Sequence, residues 1–127
     1  MAVKKIVFVA FAGEDEQQLA ILRNHSLHTR SPYEYVYFSV KEPFSAEWKR
    51  RVQRRIRRSD GVIVLVSKNS LVSLGQYWEI NCAKEARKKI RGIWAYPHDT
   101  TSLEGVAASP WDWDRITAFV DALEHYR

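Results

Sequence analysis

Two kinds of apolar spacing alternate along the chain. Ile6 to Phe11 and Gly61 to Ser67 ("GVIVLVS") are continuous apolar runs, the pattern of strands buried on both faces. Tyr35 to Val40, "YVYFSV", is rich in aromatic and β-branched residues and reads as another strand, as does Ile93 to Tyr96. Between these runs the period lengthens. Trp48, Val52 and Ile56 recur at every fourth position and predict a helix over Ala46 to Arg58, with Ser45 as its N-cap. A helix is expected over Asp15 to Asn24, with Leu19, Ile21 and Leu22 as its apolar stripe, and another over Gln76 to Lys89. A last helix, capped by Asp112 or Asp114, has Ile116, Phe119, Val120 and Leu123 on its apolar face. "HSLHTRSPYE", "KEPFSAEW" and "KNSLVSLGQ" read as loops. Pro97 to Ser109 is too short for a further helix and strand, so a fifth strand would be a stub near Trp111.

Strands alternating with helices predict an α/β fold with a central, mostly parallel sheet of four to five strands and helices on both faces. Crossovers in such a sheet are right-handed, and ligands bind outside the carboxyl ends of the strands. Gly61 to Ser67 is placed at the sheet's centre. The segments that reach the carboxyl edge are Phe11 to Glu14, Ser39 to Phe44, Ser67 to Glu79 and Tyr96 to Asp99. No repeat, low-complexity tract or Pro/Gly linker divides the 127 residues, so a single domain over 1–127 is expected.

Composition changes this picture little. The chain is 46% hydrophobic and 28% charged, ordinary for a globular protein. No apolar run approaches the roughly 18 residues of a membrane span. The N-terminus lacks the longer apolar region and cleavage site of a signal peptide, so the expectation is a cytoplasmic protein without a membrane partner. Cys82 is the one cysteine, which excludes an internal disulfide and a multi-cysteine metal site. The net charge of +5 suggests nucleic acid, but its distribution argues otherwise. Lys49, Arg50, Arg51, Arg54, Arg55, Arg57 and Arg58 lie in one short stretch, and removing these seven from +5 leaves −2 for the rest. No aromatic residue interleaves them on the helix's outer face, so a solvated face is the favoured reading over a nucleic-acid contact.

Several kinds of site chemistry find no support. Gly13 is the only glycine after the first strand, without a G-x-G-x-x-G pattern or a Walker lysine. An acidic magnesium pocket would want a carboxylate at the tip of the third strand, where Val66 and Ser67 stand. His25 and His28 are three apart in an expected loop with no third ligand, so no metal is assigned. "SKNSLVSLGQYWEINCAKEA" is more informative. Ser67 lies at the central strand's tip, and Glu79 lies early in the next helix, on the side it shares with Ala83 and Ala86. A carboxylate held there is partly desolvated. An acid in a helix's first turn is also favoured by the dipole alone, and from spacing alone that is the favoured reading.

"KKIVFVAFAGEDE" resembles the opening strand and loop of Toll/interleukin-1 receptor (TIR) domains. "IRRSDGVIVLVSKNSLVSLGQYWEI" resembles their central segment, in which a strand ends in Ser and is followed by a loop, a Ser and a helix carrying Glu. The chain is similar in this to the bacterial TIR-like proteins of the Thoeris antiphage defence system, over Lys4 to about Leu123. The resemblance implies a flavodoxin-like three-layer fold. In the enzymatic branch it implies cleavage of the nicotinamide–ribose bond of NAD+, as substrate and not cofactor. The product is ADP-ribose or a cyclic isomer, a diffusible signal to an effector protein. The catalytic carboxylate maps onto Glu79, with Ser73 six residues before it. The family commonly has Trp two residues after that serine, where Gly75 stands here, and Trp78 is the candidate to stack in its place.

The implied chemistry is coherent. Nicotinamide leaves as a neutral ring from a cationic one, and a fixed carboxylate steadies the oxocarbenium-like transition state. Phe11 and Ala12 are expected to wall the nicotinamide. Ser39, Ser67 and Asn69 are expected on the ribose or phosphates, and Lys41 near the diphosphate, in a flap over "VKEPFSAEW". The acids of "VFVAFAGEDE" are expected to start a helix. The partners implied are a second copy or other TIR chains. The alternatives are a non-enzymatic adaptor that acts by self-association and a nucleoside-type glycosyl transferase.

Overall fold

The computed structural model of the chain describes residues 4–28, 33–39, 41–43 and 45–125. Five strands, β1 (Lys5–Ala10), β2 (Tyr33–Val36), β3 (Gly61–Val66), β4 (Ile90–Trp94) and β5 (Ala108–Ser109), form one sheet in the order β2-β1-β3-β4-β5. Every strand pair is parallel. Among the described residues four helices cover it: α1 (Glu16–His28), α2 (Ala46–Arg58), α3 (Leu74–Glu85) and α4 (Trp113–Asp121). This is the flavodoxin-like three-layer α/β fold.

Alternation along the strands divides the interior into two cores. Val7, Val9, Ile63, Leu65 and Ile93 face one way and pack with Leu19 and Leu22 of α1 and Ile116 and Val120 of α4. Phe8, Ala10, Val62, Val64 and Val66 face the other way, onto Trp48, Val52 and Ile56 of α2 and Ile80, Cys82 and Ala83 of α3. β3 is buried along its whole length because it carries both cores at the sheet's centre. Each fully buried aliphatic side chain in these layers contributes about 1.5–3 kcal/mol.

Ser45 caps α2 by accepting the Trp48 N–H at 3.2 Å, and Asp112 caps α4 by accepting the Arg115 N–H at 3.1 Å. Other boundaries move. The first helix starts one residue later than expected, behind a 3-10 turn at Gly13–Asp15, and runs on through His28. His25 and His28 therefore lie on a helix and not in a loop, and His25 stacks on Trp113 at 3.7 Å. β2 begins at Tyr33, two residues early, because its register is set by pairing with Lys5 to Phe8. β2 ends at Val36, short of the expected Val40, which itself lies outside the described residues.

β4 begins at Ile90, three residues early, set by pairing with Val62 to Val66. The loop expected over "KNSLVSLGQ" holds a 3-10 turn, Lys68–Val72, and the first turn of α3, capped by Ser73. That helix ends at Glu85, four residues short of the expected Lys89. The stub strand lies at Ala108–Ser109, just before Trp111.

Candidate functional site

The carboxyl edge of the sheet gathers two buried carboxylates, Asp15 and Glu79, each with no exposed surface. They come from opposite layers. Asp15 closes the 3-10 turn after β1, and Glu79 lies on α3.

α3 aims Glu79 inward because Gln76, Glu79 and Ala83 share its buried face at helical spacing. Gln76 fixes the helix against the sheet. Its Nε2 donates to the carbonyls of Ala10 at 3.2 Å and Leu65 at 2.8 Å, which bridges the ends of β1 and β3. Ser73 accepts the Gln76 N–H at 3.2 Å and so starts the helix where Glu79 can reach Phe11.

The Glu79 carboxylate meets one cation. Lys41 Nζ donates to its two oxygens at 3.0 and 2.8 Å. The same ammonium lies 3.8 Å from the centre of the Phe11 ring. Burial pushes the Glu79 carboxyl up to about 7, outweighing Lys41 and the Phe11 backbone N–H, which favour the charged form. Burial likewise lowers the Lys41 ammonium from its ordinary value, against the pull of Glu79 and of Glu16 at the start of α1.

Asp15 is arranged differently. Three neutral groups donate to it: Ser67 Oγ at 2.5 Å, Asn69 Nδ2 at 2.9 Å and the Tyr96 hydroxyl at 2.8 Å. Ser67 Oγ also accepts the Asn69 N–H at 3.0 Å. Burial, followed by the bond and charge of Asp15, raises the Tyr96 hydroxyl to about 12, so it stays a donor. Asp15 therefore ties the end of β1 to the ends of β3 and β4.

The expected site residues divide accordingly. Phe11, Lys41 and Glu79 come together. Ala12 is fully buried beside Phe11. Ser67 and Asn69 are engaged by Asp15, and Ser39 is exposed beyond the end of β2. Phe44, in the expected flap, lies outside the described residues. Trp78 is half-buried against the α2–α3 core, with the Lys49 ammonium 4.6 Å from its ring centre. Arg51 and Arg55 lie 5.3 and 5.6 Å from the ring of Phe38. The basic helix thus does meet aromatic rings, supplied by other elements and not by its own outer face.

Sequence reasoning missed Asp15, Gln76 and Tyr96. Gln76 carried a usable signal, a polar residue three positions before Glu79 on a face otherwise small and apolar. Two hollows open beside Tyr96. One, about 570 Å³, is walled by Trp94, Tyr96, Trp111 and Trp113; the other, about 750 Å³, by Lys68, Asn69, His98 and Asp99.

No helix among the described residues is long and apolar enough to cross a membrane. A family model described as TIR domain matches residues 7–122. A search of the curated proteins finds no match.

Proposed function

The chain belongs to the TIR domain family, and from that membership we propose that it is an NAD+ nucleosidase with Glu79 as its catalytic carboxylate. One observation carries the reading: a fully buried carboxylate at the carboxyl edge of the sheet faces a cation lying on an aromatic ring. That arrangement suits a substrate whose reacting ring is flat and positively charged. The nicotinamide would lie on Phe11, and the carboxylate would steady the positive charge that grows on the ribose as the glycosidic bond breaks. The leaving ring needs no proton. The product is an ADP-ribose-type signal, cyclic in form, that would reach an effector protein in a bacterial antiphage response. Ser39, Ser67, Asn69 and Trp78 remain candidates for contacts with the rest of the nucleotide.

The test is to incubate purified protein with NAD+ and measure nicotinamide and the adenine-containing products. Turnover that falls at least a hundredfold in Glu79→Gln, with the far-UV circular dichroism unchanged, supports the assignment. Undiminished turnover in that variant removes Glu79 from the mechanism.

A second reading has its own observation. TIR domains also serve as adaptors that self-associate, and Leu71, Val72, Leu74 and Tyr77 form an exposed apolar group at the start of α3, between 57 and 80% exposed. A pure adaptor would show concentration-dependent association and no nicotinamide at any concentration. An enzyme that completes its site by association would show both.

A further inference from the structure

Three contacts converge on Lys41. Its ammonium is held by both oxygens of Glu79 and lies on the face of Phe11. Its stem occupies the space that a side chain at position 75 would fill: a Cβ on Gly75 would stand 2.7 Å from the Lys41 Cβ. The side chain is 12% exposed, although a lysine at the rim of a domain ordinarily keeps its head in water. The missing side chain at Gly75 therefore has a physical counterpart. It makes room for a lysine to enter the cleft from another segment.

The Lys41 ammonium thus fills a space between two groups that favour positive charge, the socket of the proposal below. One wall is a carboxylate with no exposed surface, and the other is the negative face of a phenyl ring. Among the described residues, Lys41 is the only ion-pair partner of Glu79. Glu16 adds a second negative field on Lys41, and Cys82 lies one turn further along α3, its thiol pushed up to about 11 by burial and by neighbouring acids. Withdrawing the ammonium without replacing it would strand the Glu79 charge.

We infer that the socket selects cationic rings by exchange: a planar N-alkylated pyridinium, such as the oxidised nicotinamide ring, enters as the Lys41 ammonium leaves for water, and uncharged rings of the same shape are refused. Charge in the cleft is conserved, one cation out and one in. Lys41 is thus a positioning residue that sets specificity for the oxidised over the reduced ring, and Gly75 is what seats it. The choice of ligand rests on the NAD+ reading above, but the selection itself requires no turnover.

The test measures equilibrium binding of 1-methylnicotinamide, a cation with no ribose bond to cleave, against neutral nicotinamide. Both are titrated into the full chain by calorimetry from pH 6 to pH 10. The cation should bind at least tenfold tighter than the neutral ring, and Glu79→Gln should erase that preference. Lys41→Met should raise affinity for the cation at least a further tenfold once the pH is high enough to ionise Glu79, with no gain for the neutral ring. Gly75→Ala keeps the lysine but crowds its stem, and should shift the cation in the same direction by less. Lack of preference in the wild type, whether both rings bind alike or neither binds, overturns the inference. So does Lys41→Met weakening the cation across the whole pH range. Selective binding without NAD+ cleavage would leave the socket standing and sink the nucleosidase reading; cleavage without selectivity would do the reverse.

Discussion

Asp15 and Glu79 are both fully buried at the same edge of the sheet, yet they are satisfied in opposite ways. Asp15 is held by three neutral donors drawn from the ends of β3 and β4. Glu79 is held by one lysine ammonium and one backbone N–H. The first arrangement fixes a carboxylate in place, and no other ligand can take over three separate donors at once. The second leaves a carboxylate with a single side-chain partner, the one that the proposed exchange would replace. A buried acid wired into the fold by three donors is a structural joint; Glu79, with one ammonium and one backbone N–H, has the arrangement that the proposed chemistry needs.

The sharpest way to break this comparison is to exchange readouts. Glu79→Gln should abolish nicotinamide release while the thermal midpoint changes by a few degrees at most near pH 7. Asp15→Ala should leave the buried Ser67 hydroxyl without its acceptor at about 1–3 kcal/mol, and the part-buried Asn69 amide and Tyr96 hydroxyl without theirs at about 1 kcal/mol each. Its thermal midpoint should fall by roughly 10 °C or more, measured by circular dichroism. If Asp15→Ala kept its stability and lost only turnover, the two roles would have to be reassigned.

A pH series sharpens the contrast next. The Glu79 carboxyl stands at about 7 in the folded chain against an ordinary 4.5, so the folded state holds its proton more tightly than the unfolded state does. Stability from this group is therefore full below 4.5 and is lost as pH rises to about 7, an effect of up to about 3 kcal/mol. Wild-type protein should lose midpoint temperature relative to Glu79→Gln between pH 5 and 7.5. Parallel curves for the two proteins would mean that Glu79 is ionised throughout and better solvated than its burial implies.

The smallest expected effect belongs to Tyr96→Phe. It removes one of the three donors to Asp15 and should cost about 1 kcal/mol, or several degrees, with turnover within twofold of wild type. A tenfold loss of turnover instead would mean that the Asp15 cluster positions Ser67 and Asn69 for the proposed substrate.

Much of the fold was legible because its signals are local. The unbroken apolar run at Gly61 to Val66 reads as a strand buried on both faces, and it is the central one. Ser45 reads as a cap and acts as one. The boundaries that moved are those set by partners. β2 and β4 begin where β1 and β3 offer hydrogen bonds, at Tyr33 and Ile90, and not where their own apolar residues are densest.

The same division runs through the site. Hydrophobic period and capping chemistry, which depend on neighbours a few residues apart, determined the layers, the carboxyl edge as the place for a site and the inward face of α3 that carries Glu79. Only the folded chain decided which groups meet there. Lys41 lies 38 positions from Glu79, and Tyr96 lies 81 from Asp15. No spacing rule spans such separations, because the contacts are made by the packing of whole layers. That packing is why one acid of the "GEDE" turn became a buried joint, and why Lys41, from the expected flap, meets the Glu79 carboxylate.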